Sequence, residues 1–124
     1  MSFAHEPKVI QGFMSGGSAV APNAEQVLAI MCVAQPGRVR SVIAATNGAG
    51  NQTCIIDLRK NGVSVWTDPA HRPSLAAGKA GLFTSYPPDR RALQTGDILT
   101  LVVAQSGNNA NVAATAVIEY PELF

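Results

Sequence analysis

The groups that could do chemistry in this chain of 124 residues are two histidines, eight carboxylates, two cysteines and nine Lys and Arg. Their spacing brings few of them together. His5 lies near the start and His71 in a proline-rich stretch, neither at metal-ligand spacing from a second His or Cys. Asp57, Asp68, Asp89 and Asp97 match no calcium loop and no acid/base pair, and hairpin and turn positions account for them. Gly78-Lys79 lacks the upstream Gly and following Ser or Thr of a phosphate loop, and Gly48-Ala49-Gly50 lacks the third glycine of a dinucleotide fingerprint. Ser15 and Ser18, in SGGS, sit in no nucleophile elbow. Neither an enzyme nor a metal or other cofactor is expected.

Binding chemistry is better represented, and it starts at LRKNGVSVW, residues 58–66, which holds the one tryptophan. Asn61-Gly62 between alternating apolar and polar residues predicts a β-hairpin with a type I′ turn, because both residues tolerate positive φ. That register pairs Lys60 with Val63, Arg59 with Ser64 and Asp57 with Trp66. Ile56, Leu58, Val63 and Val65 then share a core face, and Asp57, Arg59, Ser64 and Trp66 the other. Arg59 would lie diagonal to Trp66, within reach of its ring. Trp66 is thus expected to face a loop of its own subunit, a neighbouring chain or a ligand.

Other strands are expected at 8–14 and 17–21, broken by Gly16-Gly17, at about 26–34, at 38–46 after a Pro36-Gly37 turn, and at 98–105 after a Gly96-Asp97 turn. A final strand runs through VAATAVIEY. A helix over 24–34 competes on propensity, but its β-branched residues and flanking turns favour a strand. Residues 67–91 read as a long loop with one short strand near 81–86. Leu99 and Leu101, or Ala113 and Thr115, lie on strands with no properly polar face, so both faces need cover. The pattern predicts an all-β protein, an antiparallel β-sandwich or jelly roll of about seven or eight short strands over residues 9–124, with 1–8 as an arm.

Composition narrows the partners. Charged residues make up 14% of the chain, against about 25% in typical soluble domains. Subunit contacts, or a surface of Ser, Thr, Asn, Gln and Gly, would explain the shortage. The net charge of +1 is spread along the chain, so nucleic-acid binding is not expected. The first residues do not form a secretion signal and no apolar run reaches the ~18 residues of a membrane span, so synthesis in a cytosol is expected, without membrane insertion. Cys32 and Cys54 are expected to be buried free thiols, pairing only if their strands are neighbours.

The segments IIDLRKNGVSVW, AHRPSLAAGKAG, TGDILTLVVAQSG and VAATAVIEY together resemble small β-sandwich proteins of tailed-bacteriophage virions, over about half of the chain. The resemblance implies a virion structural protein, of the head-decoration, cement, fibre or baseplate kind. It would be a homo-oligomer, often a trimer, on the major capsid protein or another virion component. Arg59, Trp66, Leu99, Leu101, Ala113 and Thr115 are then the expected subunit or partner interface. His5, Lys8, His71, Arg72, Arg90 and Arg91, from the arm and the long loop, are the expected capsid contacts. The alternative is a carbohydrate- or receptor-binding module, with Trp66 and Tyr86 as an aromatic platform.

Overall fold

A computed structural model describes residues 9–19, 25–46, 53–75, 81–84, 87–105 and 111–121. They form an antiparallel β-sandwich of two five-stranded sheets. In the first sheet, β1 (Val9–Ala19), β10 (Asn111–Pro121), β3 (Gly37–Thr46) and β7 (Gly81–Thr84) lie side by side, and β8 (Ala92–Leu93) pairs with the start of β3. In the second, β2 (Gln26–Cys32), β9 (Ile98–Gln105), β4 (Cys54–Lys60) and β5 (Val63–Ser64) follow one another, with β6 (Ser74–Leu75) on β4. Among the described residues the sole helix is a 3-10 turn at Pro69–His71, capped by the Asp68 carboxylate, which accepts from the Ala70 N–H.

Alternation builds the core between the sheets. Val42, Ala44, Val112, Ala114, Ala116 and Ile118 point inward from the first sheet, and Ile56, Leu58, Leu99, Leu101 and Val103 from the second. Gly16 lets the two sheets meet along one side: a Cβ there would stand 2.3 Å from the Leu28 carbonyl oxygen of β2. The expected break at Gly16-Gly17 is therefore replaced by one continuous strand, because the glycine is needed for close approach and not for a turn.

The Asn61-Gly62 turn is as expected, with φ of 52° and 84°. Its loop is tied to the neighbouring Gly96-Asp97 turn, since the Asn61 N–H donates to the Ile98 carbonyl at 2.8 Å and its side-chain amide donates to Asp97 at 3.0 Å. Over 67–91 the short strand expected near 81–86 is present as β7, and a further short strand, β6, joins the second sheet where only loop was expected. The cysteines are free, Cys54 buried and Cys32 exposed, which corrects the expectation that both are buried. Cys32 ends the outermost strand of the second sheet, where its partner Ile98 is also half exposed.

Candidate functional site

Three expected interface residues belong to the chain's own core. Leu99 and Leu101 are fully buried and Trp66 is 2% exposed. For the leucines the inward face is simply the one that meets the first sheet. For Trp66 the strand alternation ends too soon: the β4–β5 ladder stops at Ser64, Val65 and Trp66 both turn inward, and the Arg90 N–H fastens the Val65 carbonyl at 3.0 Å. Arg59 is engaged by two carboxylates. Its guanidinium donates to Glu25 at 2.6 Å and to the buried Asp57 at 3.2 Å, and Ser64 also donates to Asp57 at 2.7 Å. The Arg59 bond holds the Glu25 carboxyl below its ordinary range.

The expected capsid contacts fall in separate places. His71 lies 3.5 Å from Asp68 and Arg72 3.9 Å from Asp57, whereas Arg91 is fixed on the first sheet by its carbonyl, which accepts from the Val39 N–H at 2.9 Å. Arg90 is exposed beside it. His5, Lys8 and Tyr86 lie outside the described residues.

Ala113 and Thr115 do reach the surface, and they lead to the strongest cluster of binding groups. Both stand on the outer face of β10, in rows that run across three strands. Gly17, Ala113 and Ala45 form one row and Ser15, Thr115 and Ile43 the next, with the Ser15 and Thr115 hydroxyls 2.9 Å apart. Phe13, Val117 and Ser41 follow, then Gln11, Glu119 and Arg38. Phe13 is 62% exposed, a phenyl ring on a face whose neighbouring rows carry mostly small side chains. Successive rows are about 6.7 Å apart, the two-residue rise of a strand.

A β-bulge organises the last row. Val117 pairs with Ser41 and Ile118 with Val39, which leaves Arg40 outside the ladder. The extra residue turns Arg40 to the same face as Arg38, as bulges re-aim side chains. Both then flank one carboxylate: Arg38 donates Nε and Nη2 to Glu119 Oε2 at 3.0 and 2.8 Å, and Arg40 Nε lies 3.5 Å from Oε1. Tyr120 braces this end from the inner side between Gly12 and Gly37, where added Cβ atoms would stand 2.8 and 2.7 Å from its ring.

Two grooves meet at the Arg38–Glu119 pair. One, of about 360 Å³, is lined by Pro36, Gly37, Arg38, Glu119 and Pro121. The other, of about 190 Å³, is lined by Arg38, Val39, Arg40, Pro87, Arg91 and Glu119. The site therefore offers guanidinium forks, a carboxylate, prolines and one exposed ring. It suits ligands with flat apolar faces and many hydroxyl or anionic groups better than bond-making chemistry, since among the described residues no nucleophile or proton-transfer pair converges there. Among the described residues, no group of three His, Cys, Asp or Glu side chains could hold a metal ion, and no helix is long and apolar enough to cross a membrane.

No family profile matches the chain, and no curated protein does. Among solved structures it is similar to the CBM36-1 domain of a multidomain xylanase from the hindgut metagenome of Trinervitermes trinervoides. The TM-score is 0.52 at 8% identity, over 93% of this chain and 99% of that one. A carbohydrate-binding module CBM36 solved with calcium and xylotriose gives 0.46 at 20% identity, over 93% of each chain. A chain of infectious bursal disease virus, Gx strain, gives 0.30 at 14% identity, over 92% of this chain and 40% of that one. The first likeness agrees with the β-sandwich architecture and goes no further than the fold.

Proposed function

We propose that the chain is a non-catalytic β-sandwich module that binds carbohydrate on the outer face of its first sheet. The observation that carries this reading is the arrangement of exposed Phe13, the Ser15–Thr115 hydroxyls and the Arg38–Glu119–Arg40 group on one face with a floor of small residues. A sugar ring has an apolar C–H face that packs on an aromatic ring and equatorial hydroxyls that accept from guanidinium or donate to carboxylate. The rows place both kinds of partner about one sugar length apart. Likeness of fold to a module of a xylanase supports the reading by analogy.

Affinity electrophoresis through gels containing soluble polysaccharides tests it. Retardation by at least one glycan is expected, with Phe13→Ala weakening it about tenfold through loss of the stacking surface. Equal mobility in every gel, or a Phe13→Ala variant that binds like the parent, overturns the proposal.

A second reading, that the chain is a virion structural component assembled as a homotrimer on a capsid lattice, draws on the second sheet. There Val27, Ile30 and Ile98 are 51%, 68% and 49% exposed on the outer face of β2 and β9. An apolar strip of this kind suits contact with further subunits. Light scattering across a dilution series tests it: a persistent particle of three times the 12.9 kDa chain mass supports it, and a monomer throughout counts against it.

A further inference from the structure

From the charge around Glu119 we infer that the ligand of this face is an acidic polysaccharide, whose uronate carboxylate docks between Arg40 and Arg91; the inference rests on the carbohydrate reading above. The chain's formal net charge is +1, yet among the described residues three arginines and one carboxylate line the smaller groove, an excess of two positive charges in one place. Glu119 engages part of this donor set. Arg38 spends Nε and Nη2 on it and Arg40 brings Nε near it, which leaves both terminal nitrogens of Arg40 and Nη1 of Arg38 outside those contacts. Among the described residues no carboxylate pairs with Arg91. The Arg38 and Arg40 side chains are 56% and 59% exposed, so they meet solvent where a ligand would arrive.

The geometry favours a planar anion carried by a sugar. A guanidinium fork matches a carboxylate with two parallel N–H donors, and Arg38 already holds a carboxylate here, turning Nε and Nη2 onto one oxygen of Glu119. Phe13 stands one row along and one strand across from Glu119, so a chain of sugars packed on its ring can extend over β10 toward the arginines. A neutral glycan would leave that positive charge without a counterpart. The groove is also small, about 190 Å³, which suits one substituent at a time better than a broad polyanion.

The test compares polygalacturonate with the same polymer fully methyl-esterified, which keeps the sugar backbone and removes the charge. Neutral xylan and dextran sulfate complete the set, and binding is read by affinity electrophoresis and titration calorimetry. The expected result is retention by polygalacturonate that falls ten- to hundredfold on esterification and by a similar factor in Arg40→Gln and Arg91→Gln. Arg90→Gln, next to the groove and not lining it, should bind as the parent does. Added salt should weaken retention, as it screens exposed charges. Equal binding of the ester and the acid, or of neutral xylan alone, overturns the inference while the carbohydrate reading stands. Dextran sulfate held as tightly as polygalacturonate overturns it in favour of unselective charge attraction. No retention by any glycan removes both.

Discussion

Trp66→Ala should be among the most damaging single substitutions in this chain. Trp66 is 2% exposed within the cluster that includes Val65, Leu58 and Leu101. A tryptophan side chain buries about 200 Å², so at about 25 cal/mol per Å² its removal from water is worth about 5 kcal/mol. Measured truncations of core aromatics cost about 3–5 kcal/mol, consistent with that figure. Against total stabilities of about 5–15 kcal/mol this is a large share, and it should lower the melting temperature by roughly 10–20 °C. Urea unfolding followed by circular dichroism gives the cost directly. Emission of the single indole supplies a second readout, blue-shifted and shielded from acrylamide in the parent. If the alanine variant does not fold, Trp66→Phe should fold with a smaller loss. A Trp66→Ala cost below about 1 kcal/mol, the range of ordinary surface changes, would refute the placement of the ring in the core.

Gly37→Ala should cost about 1–3 kcal/mol by overpacking, because its Cβ would stand 2.6 Å from the Glu119 carbonyl oxygen, a backbone atom with little room to move. Gly12→Ala, which meets only the Tyr120 ring edge, should cost less, and a reversal of that order in urea unfolding would count against the brace. Gly62→Ala should destabilise by about 1 kcal/mol, since φ at this position is +84° and the turn has open space around it, so strain alone is measured. Acid should weaken the fold through Asp97, Asp89 and Glu25. Bonds from the Gln94 N–H and the Asn61 amide, from the Thr67 side chain and N–H, and from Arg59 hold these carboxyls, in that order, below their ordinary range. Lowered folded values give stability that is present above the unfolded values near 4 and is lost as pH falls through the folded ones, so the urea midpoint should drop between about pH 5 and 3. Asp97→Asn should flatten that slope, and a midpoint unchanged over the interval would contradict it.

The parts of the fold that were readable in the sequence are those fixed by local chemistry. Asn61-Gly62 demanded a positive-φ turn whatever surrounded it, and the β-branched residues of 26–32 and 98–105 favoured strands over helix. What failed depended on distant residues. Strand alternation carried through Ser64 would put Trp66 outside, but residues from 89 and 90 capture Thr67 and Val65 and turn the chain inward. Gly16-Gly17 looked like a break because nothing local marks the Leu28 carbonyl that needs the space. The candidate site was the least readable. Arg38 and Arg40 are visible as a local pair, yet their meeting with Glu119 depends on a bulge and on the register of a strand roughly 80 positions later. Ala113 and Thr115 were singled out for small outward side chains, and both do lie on the outer face of β10.

The exposed Cys32 has a practical use. It is accessible, whereas Cys54 is buried, so a maleimide reagent should label the native protein at one position without mutagenesis. That position is on the second sheet, across the thickness of the sandwich from Phe13 and Glu119. A module tethered to a bead or sensor chip through this sulfur would present its first sheet to the liquid, oriented alike in every copy. Such a surface would report ligand capture free of the random attachment that lysine coupling produces, and it would hold β2 away from other copies while doing so.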